Sequence, residues 1–80
     1  MQPPEGKRVV VTGANEGIGY HMLTALLERG HRVAGLDIDG ENVRALQERY
    51  PRRVGFYECD VSVDGDVEDA IDEILDRWVG

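Results

Sequence analysis

The run Thr12-Gly13-Ala14-Asn15-Glu16-Gly17-Ile18-Gly19 follows directly on Arg8-Val9-Val10-Val11, and its reading decides the fold. Before it, β-branched residues form a short apolar run of the kind buried on both faces of a parallel sheet. After it the spacing turns helical: Ile18, Met22 and Leu26 fall four apart, with Leu23 and Leu27 beside them. Three glycines therefore sit where a strand gives way to a helix. The first N–H groups of a helix have no intrahelical partner, and the helix dipole favours negative charge there, so such a turn suits a diphosphate. Gly13 permits a tight turn, Gly17 lets phosphates approach the main chain, and Gly19 lets helix and strand pack together. A glycine-rich loop alone is a weak sign. The strand before it, the helix after it and an acidic residue downstream make it a strong one.

Outward from this loop the chain repeats the same unit. Gly30 sits where a glycine closes a helix. Arg32 to Asp37 reads as a second strand through Val33, Ala34 and Leu36. Asp39 is placed to cap a second helix with a buried stripe of Val43, Leu46 and Tyr50, and Pro51 stops it. Val54 to Glu58 reads as a third strand. The last helix carries Val67, Ala70, Ile71, Ile74, Leu75, Trp78 and Val79 on one face, with Ser62 as its expected N-cap. Its first turn holds Asp64 and Asp66 and its last holds Arg77, each favourable to the helix dipole. Strands alternating with helices imply right-handed crossovers and a parallel sheet of order 3-2-1. The expected class is α/β: a three-layer, Rossmann-like βαβαβα half-fold that stops before a fourth strand.

Length and composition agree. Eighty residues make one domain at most, expected here as a frayed lead-in over 1–6 and a partial dinucleotide-binding domain over 7–80. Nine basic against sixteen acidic side chains give a net charge of −7, which argues against nucleic acid as a partner because phosphate backbones need clustered Lys and Arg. Cys59 is the only cysteine, so no internal disulfide forms, in keeping with a reducing cytoplasm. No apolar run is long enough to span a bilayer, and no signal-peptide pattern opens the chain. His21 and His31 lack partners at metal-ligand spacing, so no metal is expected.

With these residues in place, the chain resembles the short-chain dehydrogenase/reductase family, whose T-G-x-x-x-G-[I/L]-G signature is matched at every fixed position from Thr12 to Gly19. The resemblance runs from about Arg8 to Gly80. It implies that Gly13, Asn15, Gly17, Ile18 and Gly19 serve the cofactor's phosphates and adenosine ribose, with the Ile18 N–H as the diphosphate donor. Thr12 is expected to steady the turn. Asp37, twenty-four residues after Gly13, ends the second strand, where a carboxylate accepts hydrogen bonds from the ribose hydroxyls and repels the 2′-phosphate of NADP. Family members that use NADP often carry a basic residue before the second glycine or just after the position of Asp37. Glu16 and Ile38 stand there instead, which favours NAD. Asp60 and Val61 match the family's adenine-holding Asp-Val pair. Cys59 reads as a buried small side chain rather than a reactive thiol.

The family's catalytic N-N-A-G segment, serine and Y-x-x-x-K pair do not occur in these eighty residues. Lys7, the only lysine, precedes the motif. The expectation is an NAD-binding segment that is inactive alone, its oxidoreductase activity on an alcohol or carbonyl belonging to a longer form. Two other readings stand beside it: a non-catalytic nucleotide-binding module, and a half-fold that self-associates as a homodimer through the exposed edge of its first strand.

Overall fold

The computed structural model describes residues 6–79. Three parallel strands alternate with three helices in the order β1 (Arg8–Thr12), α1 (Gly17–Glu28), β2 (Arg32–Asp37), α2 (Glu41–Arg49), β3 (Val54–Glu58) and α3 (Asp64–Val79). The sheet order is β1-β2-β3, with β2 in the middle, which is the expected 3-2-1 arrangement. The expected frayed lead-in lies, Gly6 apart, outside the described residues, as does the side chain of Val79.

Register explains the two cores. Val9, Val33 and Val54 form one row across the sheet, and Val11, Gly35 and Phe56 another. Successive strand residues point to opposite faces, so both rows meet the same helices. Leu23 and Leu27 of α1 and Val43 and Leu46 of α2 complete that core. Gly35 makes the fit close: a Cβ there would stand 3.0 Å from Ala14 and Leu23 and 3.2 Å from Val43. On the other face Ala34, Leu36, Tyr57 and Cys59 pack against Ala70 and Ile74 of α3. Leu23, Leu36 and Ile74 are fully buried, each contributing roughly 1.5–3 kcal/mol of hydrophobic stabilisation. Val10 lies on the α3 face but is more than a third exposed, because that helix covers β2 and β3.

α1 ends as its sequence predicts. Gly30 takes a φ of 93°, and the N–H groups of Gly30 and His31 donate to the carbonyls of Leu27 and Leu26, both at 3.1 Å. This pair of bonds satisfies two terminal carbonyls that would otherwise be orphaned. The stripe on α1 is narrower than its sequence implied. Leu23 and Leu27 are buried and Leu26 half-buried, whereas Ile18 and Met22, on the adjoining side, stand 83% and 52% exposed.

Two caps differ from expectation. Gly40, not Asp39, is the N-cap residue of α2; a Cβ there would stand 2.3 Å from the Phe56 ring, so a larger residue would require that ring to move. α3 starts at Asp64, and the carbonyl of Val63 accepts its first bonds, from Asp66 at 3.0 Å and Val67 at 3.3 Å. Ser62 instead turns back on Asp60.

At the amino ends of the strands, Arg8, Arg32, Arg52 and Arg53 line a hollow with Gly6 and Gly30, and no carboxylate is among its described lining residues. Arg53 also donates from its guanidinium to the carbonyl of Leu27. No helix of the described residues is long and apolar enough to cross a membrane.

Candidate functional site

The opposite edge, at the carboxyl ends of the strands, gathers every residue that the sequence singles out for a cofactor. Gly13 and Gly17 adopt φ values of 61° and 65°, a region that residues with a Cβ enter at a cost of roughly 1–2 kcal/mol. Nothing lies within 4 Å of where a Cβ would stand at either position, so the main chain is open to a ligand. Gly19 is required for a different reason. A Cβ there would sit 1.9 Å from the carbonyl oxygen of Gly13, so its absence lets the first turn of α1 rest on the loop.

α1 opens without a cap of its own. Glu16, its N-cap residue, is extended (φ −156°, ψ 170°) and makes no side-chain cap bond, and the first turn carries no acidic side chain. The amides of Gly17, Ile18 and Gly19 therefore head a helix with their positive partial charge uncompensated from within that turn. Ile18 is widely exposed, so nothing overhangs the amide expected to meet a diphosphate.

Asn15 fixes the loop from beneath. It is the one buried polar residue among those described, at 7% exposure. Its N–H donates to Oδ2 of Asp37 at 2.9 Å. Its Oδ1 accepts the N–H groups of Asn42 at 2.8 Å and Val43 at 3.3 Å. Its carbonyl accepts Nδ2 of Asn42, again at 2.8 Å. Asn15 thus caps α2 from twenty-seven residues away, satisfying two of the amides that a local cap would have taken. Sequence reasoning assigned Asn15 to the cofactor alone and passed over Asn42. No local signal marks such a pair, because it joins two loops distant in the chain.

Asp37 stands half-buried at the end of β2. Besides the bond to Asn15, its Oδ1 accepts the N–H of Asp39 at 3.3 Å, and its carbonyl accepts the N–H of Cys59 at 3.0 Å. Each carboxylate oxygen keeps lone pairs for a further donor. Next to it opens a groove of about 780 Å³ whose lining includes Glu16, Asp39, Glu41 and Glu48 against a single cation, Arg44. That guanidinium lies 4.8 Å from the centre of the Phe56 ring.

Asp60 and Val61 follow β3 on the same edge. Oδ1 of Asp60 accepts the Ser62 N–H at 3.0 Å and the Ser62 hydroxyl at 2.6 Å. These two bonds, the hydroxyl's first, hold the Asp60 carboxyl below its ordinary value. Val61 is exposed. Cys59 is buried, and burial pushes its thiol upward, with the carboxylates of Asp66 and Asp60 adding to the effect; a raised thiol is a poor nucleophile. His31 accepts the Lys7 N–H at Nδ1, 2.9 Å away, and no metal-holding cluster occurs among the described residues.

A family model described as enoyl-(acyl carrier protein) reductase matches residues 13–80. The chain belongs to the short-chain dehydrogenase/reductase family. Within it, the chain is similar to sex determination protein tasselseed-2 of Zea mays, at 40% identity over 95% of this chain and 23% of that protein. It is similar in structure to a short-chain dehydrogenase from Streptomyces avermitilis, with a TM-score of 0.84, 27% identity, and coverage of 92% of this chain and 27% of that one. L-sorbose reductase from Gluconobacter frateurii, solved with NADPH and L-sorbose, shares the fold: TM-score 0.81, 24% identity, coverage 95% and 30%. The chain therefore spans about a quarter of the length of these three proteins. The family is one of oxidoreductases that bind NAD or NADP.

Proposed function

We propose that this chain is the NAD-binding segment of a short-chain dehydrogenase/reductase whose longer form oxidises an alcohol or reduces a carbonyl. The observation that carries the proposal is the uncapped start of α1, where the glycines at 13 and 17 leave the main chain open beside the Asp37 carboxylate. In this reading the amides of Gly17, Ile18 and Gly19 receive the diphosphate. Asp37 takes the adenosine ribose hydroxyls, and Asp60 and Val61 flank the adenine. A bound nicotinamide would supply the hydride acceptor or donor. The eighty residues contain no Y-x-x-x-K pair to move the substrate proton, so turnover is assigned to the longer form.

The choice of NAD over NADP rests on charge. A 2′-phosphate at the ribose would approach Asp37 beside a groove in which Glu16, Asp39, Glu41 and Glu48 outnumber the one cation, Arg44, and like charges repel. Calorimetric titration of the chain with both dinucleotides tests this reading. NAD should bind at least tenfold more tightly, a difference of about 1.4 kcal/mol. Equal affinity, or tighter NADP, overturns the cofactor assignment, and no heat with either overturns the nucleotide reading.

One observation favours a second reading, a module that pairs with its own copy. Among the described residues β1 hydrogen-bonds to β2 alone, which leaves its outer row of N–H and C=O groups available to another strand. Sedimentation of the chain across a hundredfold range of concentration distinguishes the two. A concentration-dependent dimer supports self-association, and a monomer throughout removes it.

A further inference from the structure

We infer that Asn42 is a positioning residue for the dinucleotide site, acting through Asn15 on a loop it shares no strand or helix with. The inference rests on the nucleotide reading above and adds to it a residue that no family motif marks. The two asparagines are joined twice, Nδ2 of Asn42 donating to the Asn15 carbonyl and the Asn42 N–H to Asn15 Oδ1, and the adjacent Val43 N–H donates to the same oxygen. The Asn15 side chain is buried at this junction, where an unmade hydrogen bond is costly. The Asn15 carbonyl lies between the two positive-φ glycines, and the Asn15 N–H is held by Asp37. One peptide segment is therefore gripped at its N–H by the carboxylate assigned to the ribose and at its C=O by the side chain of Asn42. Both grips determine how the following Glu16–Gly17 peptide presents the amides of α1.

The role of the amide is separable from helix capping. Asn42→Ala keeps the backbone N–H groups of residues 42 and 43, and hence the Asn15 cap. It also raises helix propensity, so α2 should still form. It removes one bond only, from Nδ2 to the carbonyl of Asn15. With that carbonyl released, the glycine-flanked segment gains freedom that a bound diphosphate must then remove.

The test compares the chain with its Asn42→Ala and Asn42→Gln variants, using NAD and adenosine as probes, the second having ribose and adenine but no phosphate. Calorimetry should show Asn42→Ala weakening NAD about tenfold and adenosine less than threefold. Asn42→Gln, which restores a terminal amide, should recover part of the loss. Without ligand, hydrogen exchange at the Asn15 amide should quicken in Asn42→Ala while the amides of the middle of α2 keep their protection. NAD affinity unchanged in Asn42→Ala overturns the inference. So do equal losses for both probes accompanied by lost α2 protection, which would mean simple unfolding of the helix. Failure of the unmodified chain to bind NAD overturns the nucleotide reading and this inference together, a result distinct from loss in the variant alone.

Discussion

The first and second helices begin at segments joined through Asn15, and they begin in opposite ways. α2 has an acidic residue, Glu41, in its first turn and a buried asparagine oxygen on two of its amides. α1 has neither, and its N-cap side chain makes no bond. Both helix starts expose the same backbone chemistry, so the contrast is one of occupancy. A helix start whose amides are met from inside the protein is architecture, and one left unmet invites an anion from outside. Asn15 links the two cases, since it closes α2 with its side chain and shapes the opening of α1 with its main chain.

This contrast can be broken at its strongest point by Gly19→Ala. Its Cβ would overlap the Gly13 carbonyl oxygen, forcing loop and helix apart at a cost of about 1–3 kcal/mol or more. The expected outcome is a lower urea midpoint and complete loss of NAD binding by calorimetry. Asp37→Ala leaves the helices in place and removes the carboxylate expected at the ribose. It should weaken NAD by about 1–3 kcal/mol, the usual loss for hydrogen bonds to a charged group, and unchanged affinity would remove Asp37 from the site.

A paired substitution at Asn15 sharpens the comparison. Asn15→Ala uncaps α2 and should lower stability to urea by about 0.5–2 kcal/mol, whereas Asn15→Asp retains a cap oxygen and should lose less. If the two variants melt alike, the long-range cap contributes little. The smallest effect belongs to the turn before α3. Because Ser62 stabilises the charged form of Asp60, the folded carboxyl titrates below its ordinary value. The stabilisation is thus present above the ordinary carboxylate range and is lost as pH falls through the lowered value. Ser62→Ala should move the Asp60 midpoint upward in an NMR titration, and no movement would discount the hydroxyl bond.

How far the sequence carries can be judged from the same residues. β1, β2 and β3 stand where the β-branched runs place them, since a two-sided parallel sheet requires apolar residues at consecutive positions. Gly30 closes α1 as read, because a left-handed residue after a helix is a strictly local requirement. The helix caps were less legible. Asp39 and Ser62 have the right chemistry at nearly the right positions, yet Gly40 takes the cap position beside the Phe56 ring and Ser62 turns back on Asp60. The cap that matters for the site comes from a residue in another loop, where neighbouring spacing carries no information. The glycine motif was fully visible, and the polar support beneath it was not.

The hollow lined by Arg8, Arg32, Arg52 and Arg53 has one more consequence. Although the chain carries a net charge of −7, four of its arginines collect at the foot of the sheet while carboxylates line the groove at the opposite rim. A dinucleotide, itself an anion, would therefore be repelled by the chain as a whole, and most strongly on approach to the proposed site. Capture at the proposed site would then depend on short-range contacts, and dissolved salt, by shortening the reach of that repulsion, should hasten the encounter instead of slowing it.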